Sequence, residues 1–581
     1  MPDGKKITLS LGPLGPLYDN LLHNMEKSRF SARLWENDPT LWKKSLHHKD
    51  IIKGALGWLS VPLLMEDKID ELNNFSGRVR DAGFRHVVLL GMGGSALAPL
   101  VFSKTFGPFP GYPDMFVLDT IDQAAVKRVE DSVDPAKTLF IVASKSGTTI
   151  EVLSLFDYFY DRLAKNHKKD SPGKNFAAIT DAGSPLEKLS ERLGFLRVFL
   201  NPKDIGGRYS ALSYFGLVPA ALIGMDIKRL LLCATSMADA CSPGIEESRN
   251  PAVTVGAALA MLAKNGKDKV TFFLDDEIQS FGLWIEQLLS ESTGKEGKGI
   301  IPIVGEKMGG PGNYFSDRVF VSMGFKGKNR DLSGRLASLK RSGNPVIKIS
   351  LSDKYSLGGE FFRWEVASAA AGAVFGINPF DQPDVEDAKK RTFAYLKGIT
   401  GGTAAERPQP SIEGRNLKIF FGKRTLKKLA GARPVPEKLL GKFIRLLDKD
   451  SYLSIMAYVD PYDEALSSGL SSIRAFLRDK TKVATQSGYG PRYLHSTGQL
   501  HKGGPKKGVF IFITHEDDGG LTVPGRGYTF LGLESSQAMG DMEALDAGKS
   551  PVVLFALKSA TPESIKEVES LIKDSLGADN G

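Results

Sequence analysis

Between residues 80 and 400, short apolar runs alternate with longer stretches in which apolar positions recur every three or four residues, the rhythm of strands separated by helices. HVVLLG (86–91), MFVLD (115–119), LFIVA (139–143), FAAIT (176–180) and FLRVFL (195–200) form one series. KVTFFL (269–274), RVFVSM (318–323) and VIKISL (346–351) form a second, closed by an Ala-rich helical stretch at 358–375. Strands joined by helix-length segments must pair in parallel with both faces covered, so the pattern predicts α/β architecture with two doubly wound parallel-sheet sandwiches. Upstream, an irregular start gives way to helical spacing over 17–35 and 54–75. At 398–414, GITGGTAAERPQPSIEG has no periodicity and reads as a linker. Strand-like runs at 453–459, 483–487 and 552–558 then mark a further α/β unit. The expected division is a mainly helical layer (1–80), a first sandwich (81–249), a second (250–397), the linker (398–414) and a carboxyl-terminal α/β unit (415–581).

A chain of 581 residues exceeds what one core can organise, in keeping with several domains. Its net charge of +9 is spread without a long basic block. That leaves nucleic-acid binding unsupported and suits a small anionic substrate. The two cysteines, Cys233 and Cys241, form no CxxC pair and no cluster with the eight histidines, so neither a disulfide framework nor a metal site is expected. No segment approaches eighteen consecutive apolar residues, and the amino terminus lacks the apolar core of an export signal. A cytoplasmic protein without a membrane partner is expected.

The candidate chemistry clusters where predicted strands end. After LFIVA comes SKSGTT (144–149), then a helix: hydroxyls on Ser144, Ser146 and Thr149, the Lys145 ammonium, and the free N–H groups of a helix start. Such a loop can cradle a phosphate, although a Ser/Thr cluster can also be no more than a helix cap. After HVVLLG comes GMGGSA, where Gly91, Gly93 and Ala96 match a dinucleotide fingerprint and Asp119 stands at about the right distance for a ribose hydroxyl. A Rossmann NAD-dependent dehydrogenase is therefore a rival. A dinucleotide fold has no use for SKSGTT, whereas a sugar-phosphate pocket uses both loops. Further along, Arg208 follows two glycines in GGRYS, Glu291 opens ESTGK at a predicted helix end, and Lys389 lies a turn or so inside the helix that follows the turn NPFDQP.

GMGGS, SKSGTT, GGRYS, ESTGK and NPFDQP, in that order over about residues 50–395, resemble the glucose-6-phosphate isomerase family, built from two sugar-isomerase (SIS) domains. The last unit resembles the isomerase half of bacterial transaldolase fusions, with no transaldolase part. The resemblance implies interconversion of glucose 6-phosphate and fructose 6-phosphate without a cofactor, and a homodimer as the common assembly. It places the phosphate on Gly94, Ser95, Ser144, Lys145, Ser146 and Thr149, with Gly207 and Arg208 beside the reacting carbons. It makes Glu291 the base, sets Gln287 one turn earlier, and brings Gln382 and Lys389 near the ring oxygen. A SIS regulator that binds sugar phosphate without catalysis is the non-enzymatic alternative. Two departures stand out: ESTGK replaces the common ESNGK, and no histidine occurs between Glu291 and Asn378 to open the ring. HSTGQLHKGG, far downstream, repeats the order of the family's histidine segment, so His495, with His501 next in line, is expected to take that role from a permuted position.

Overall fold

The computed structural model describes residues 7–166, 171–328, 330–400, 409–431, 433, 435–517 and 520–577. The first sheet has five parallel strands in spatial order Asp114–Leu118, His86–Gly91, Thr138–Ala143, Phe176–Asp181, Arg197–Asn201. Its central strands are buried apolar runs, because helices cover both faces and no register leaves a side chain in water. The second sheet runs Ile301–Ile303, Lys269–Leu274, Arg318–Phe325, Val346–Leu351, four parallel strands in the same order as the first four of the first sheet, with a further strand at its edge. That edge is Ile7–Ser10, antiparallel, with Ile7 opposite Ile349. The irregular start of the chain thus carries a strand. Ile301–Ile303 is likewise absent from the sequence reading: three residues around a proline are too short to register as a run.

Helices of the amino-terminal layer pack on both sandwiches. Tyr18 of Gly15–Lys27 donates to the Thr254 carbonyl at 3.2 Å, and Trp58 stacks on Tyr209 with ring centroids 5.2 Å apart. Leu357–Phe375 is buried along almost its whole length between the helices Ile227–Ala240, Val253–Lys264 and Phe281–Thr293. The helix Glu386–Thr400 extends past the expected linker start, and 401–408, the middle of that linker, lies outside the described residues.

The third sheet runs Ile412–Glu413, Leu417–Phe421, Val552–Leu557, Gly508–His515, Tyr452–Ala457, Ala484–Tyr489, parallel except where Leu417–Phe421 meets its two neighbours. It docks on both sandwiches. Gln486 donates to the Pro302 carbonyl at 2.7 Å, and Arg492 donates to Asp119 Oδ1 at 2.6 Å. Among the described residues no helix is long and apolar enough to cross a membrane.

Candidate active site

The strands His86–Gly91 and Thr138–Ala143 are neighbours in register, Gly91 opposite Ala143, so the loops leaving their carboxyl ends emerge side by side. In the second loop Ser144 Oγ accepts the Gly147 N–H at 3.1 Å and lies 3.0 Å from Thr149 Oγ1; Gly147 takes φ +68°, open to glycine. Ser146 pairs with Thr148 at 2.9 Å, and the helix Ile150–Asn166 starts at once. The Lys145 ammonium, partly exposed at this loop, is held by Asp181 Oδ2 at 2.5 Å and the Lys203 carbonyl at 2.9 Å.

The first loop packs against two others. A Cβ on Gly94 would sit 2.2 Å from the Gly207 carbonyl, and one on Gly93 would sit 2.6 Å from the His495 carbonyl. Gly93, one of the two glycines of the dinucleotide fingerprint, therefore serves loop-on-loop packing here. Asp119 is buried against Arg492 and Tyr462, unavailable to a ribose. Gly94→Ala is expected to destabilise the fold by about 1–3 kcal/mol through overpacking against backbone, measured as a lowered urea midpoint with an unchanged slope.

Arg208, buried, ties the crevice together. Nη1 donates to Glu291 Oε2 at 3.0 Å and Gln382 Oε1 at 3.1 Å, Nε to Ser292 Oγ at 2.9 Å, and Nη2 to the carbonyls of Pro379 at 2.6 Å and Asp381 at 3.0 Å. Glu291 comes from the last turn of Phe281–Thr293, and Gln287, one turn earlier, donates to the His495 carbonyl at 2.7 Å. Lys389 lies on an exposed helix face paired with Glu386 at 2.8 Å, close enough for its charge to weaken the basicity of His495.

His495 Nε2 lies 2.8 Å from Glu151 Oε1, which also accepts from Gln537 at 2.7 Å. Burial disfavours the imidazolium, but the Glu151 carboxylate, with help from Glu291, outweighs it and leaves the His495 pKa raised. Burial works against the Glu151 anion too, yet His495 keeps that carboxyl below its ordinary range. His501 points elsewhere: it sits among Tyr452, Tyr493 and Phe510 with Nε2 3.2 Å from Gln486 Oε1, and burial drives its pKa far down.

Two residues of this constellation escape sequence reasoning. Glu151 ends the very stretch that carries SKSGTT, but its partner is 344 positions away. Lys295, the last residue of ESTGK, is buried with Nζ 2.6 Å from the Asn378 carbonyl and 2.8 Å from Asp381 Oδ1. Burial, then Arg208, pushes its ammonium down to about 7, and its bonds hold the 378–382 turn in place.

The family model for phosphoglucose isomerase matches residues 66–301. A probable glucose-6-phosphate isomerase of Methanococcus maripaludis is 29% identical over 429 residues, 67% of this chain and 95% of that protein. A glucose-6-phosphate isomerase of Rubrobacter xylanophilus is 30% identical over 396 residues, 60% of this chain and 90% of that one. Among solved structures, a Thermus thermophilus protein described as hypothetical superposes with a TM-score of 0.56 at 23% identity, covering 68% of this chain and 100% of its own, a likeness of fold.

Proposed function

Since this chain belongs to the glucose-6-phosphate isomerase family and is an aldose–ketose isomerase, we propose that it interconverts glucose 6-phosphate and fructose 6-phosphate with His495 opening the ring and Glu291 moving the proton. The observation that carries this assignment is convergence: Gln287 donates to the His495 carbonyl and stands 3.4 Å from Glu291, so the acid and the base share one crevice beside the two phosphate loops.

The phosphate docks on the N–H groups and hydroxyls of 94–95 and 144–149, and the binding energy positions the sugar carbons over Glu291. The His495 imidazolium, favoured by Glu151, gives a proton to the ring oxygen as the bond from C1 to that oxygen breaks, and the resulting imidazole takes the O1 proton, leaving the open-chain aldehyde. Glu291 then takes the C2 proton. The negative charge gathers on the enediol oxygens beside the Arg208 guanidinium, the proton of O2 passes to O1, and Glu291 returns its proton to C1 to leave the C2 ketone. No net electron leaves the sugar, because C1 is reduced as C2 is oxidised.

The test is conversion by the purified full-length chain with no nicotinamide present, with fructose 6-phosphate quantified after quenching. Product formation accompanied by solvent exchange at C2 is expected. Tight binding without conversion would make the protein a sugar-phosphate-binding regulator, and conversion of substrate only with NAD would make it a dehydrogenase.

Ser95→Ala removes one donor from the phosphate dianion. A charge-assisted hydrogen bond contributes about 1.5–3 kcal/mol, so kcat/KM is expected to fall roughly tenfold to a hundredfold, mainly through KM. An unchanged kcat/KM would place the phosphate on other groups.

A further inference from the structure

Three side chains from distant parts of the sequence meet where the first sandwich abuts the carboxyl-terminal unit. Asp122 caps the helix Gln123–Ser132, His515 ends the strand Gly508–His515, and Glu534 lies in the first turn or so of Phe530–Ala547. All three are buried, and one potential ligand atom from each lies within 4.8 Å of the others. His515 Nε2 faces Asp122 Oδ2 at 3.4 Å and its Nδ1 lies 2.8 Å from Asp517 Oδ2, close approaches in which neither ring nitrogen makes an aligned hydrogen bond. Asp122 spends its other oxygen, Oδ1, on the Ala125 N–H at 2.9 Å, which leaves Oδ2 to the cluster. Glu534 is 1% exposed, and neither of its oxygens meets a hydrogen-bond donor among the described residues.

Asp122 and Glu534, buried together beside this imidazole, repel each other. Arg128, whose charge senses Asp122, is engaged by Asp460 at 2.6 Å. A polar group buried without a partner is destabilising, and a cation is the species that would satisfy both Glu534 oxygens and the second oxygen of Asp122 together. We propose that Asp122, His515 and Glu534 form a structural site for a divalent transition-metal cation of the zinc class, with Asp517 orienting the imidazole. One imidazole and two carboxylates are donors such ions accept, and a carboxylate behind the other ring nitrogen is the usual support of a metal-bound histidine. Donors about 2.1 Å from a tetrahedral ion stand roughly 3.4 Å apart, so from a spread of up to 4.8 Å the cluster closes by at most about 1.4 Å. Composition gave no warning of the site, since its ligands are neither cysteines nor neighbours in sequence.

The location gives the site its role. Asp119, three residues before Asp122, holds Arg492, three residues before His495. A cation at 122, 515 and 534 therefore pins the carboxyl-terminal unit to the loop that also docks the ring-opening histidine. This inference does not depend on which sugar is turned over.

The experiment is titration of the chelator-stripped, full-length protein with Zn²⁺ in competition with a chromophoric indicator, alongside Co²⁺ titration read by visible d–d absorption. One equivalent per chain, a raised Tm on binding, and tetrahedral or five-coordinate cobalt bands are expected. Glu534→Gln, isosteric and uncharged, should lose stoichiometric binding, and Asp517→Asn should weaken it by about 10–100-fold. If His515→Gln fails to fold, Glu534→Gln still decides the matter, because the metal-free protein should tolerate it. Binding of less than one equivalent, or binding unchanged in Glu534→Gln, overturns the proposal; the latter result would assign the metal to other histidines such as His23, His47 and His48.

Discussion

Glu291→Gln is expected to lower turnover and C2 hydrogen exchange with solvent by about a hundredfold to ten-thousandfold, the range that a positioned general base supplies. The substitution keeps the shape of the side chain. An amide oxygen can still accept from Arg208 Nη1, which stands 3.0 Å from the carboxylate, and Gln287 can keep its bond to the His495 carbonyl. The loops at 94–95 and 144–149 are untouched, so KM for the sugar phosphate should change little while kcat collapses. Exchange can be followed by proton NMR in deuterated water. Near-normal exchange in this variant would require a different base, and Glu151, whose carboxylate lies against His495, would be the first to test.

His495→Ala has the second largest expected effect, and it should be selective. Activity on the closed sugar should fall by about a hundredfold or more, whereas open-chain substrate, which needs no proton on the ring oxygen, should lose far less. An equal loss on both forms would falsify the ring-opening assignment. The same pair makes a pH signature in stability. The folded-state pKa of His495 is raised above its ordinary 6.5, so its stabilising contribution is complete below 6.5 and disappears as pH climbs through the raised value. Glu151 is lowered from 4.5, so its contribution is complete above 4.5 and disappears as pH falls through the lowered value. The stability difference between wild type and His495→Ala in urea unfolding should therefore be greatest between pH 4.5 and 6.5 and shrink on either side.

What the sequence discloses, and what it withholds, follows from where each signal originates. Parallel strands buried on both faces write themselves as uninterrupted apolar runs, so Thr138–Ala143 and Lys269–Leu274 are legible without any tertiary knowledge. Ile7–Ser10 is not, since its four residues are a strand only because Val346–Leu351 offers a free edge far along the chain. Arg208, Gln287, Glu291 and Gln382 are readable from motif order, and the structure brings all four within hydrogen-bond chains of one another. Lys145 reads as a phosphate ligand from its charge in a hydroxyl-rich loop; the competing carboxylate, Asp181, ends the next strand of the sheet and is recognisable only in three dimensions. Glu151 presents the opposite case. A carboxylate in the first turn of a helix is an ordinary helix-start residue, and its significance comes from His495 and Gln537, neither of them local. His501 has the right spacing but falls on the inward side of a short helix, Gly498–Gly503, against the aromatic core.

The docking of the third sheet across both sandwiches also makes the crevice an assembly of parts far apart in the chain. The phosphate loops, Arg208 and Glu291 all precede residue 300, whereas His495 is synthesised near the end and its sheet is incomplete until Val552–Leu557 pairs with Gly508–His515. The long separations between Glu151 and His495 and between Asp119 and Arg492 make closure of the crevice depend on contacts distant in sequence, which are slow to form. On the proposed reading, the groups that grip the phosphate and the group that opens the ring meet only once those distant contacts have closed.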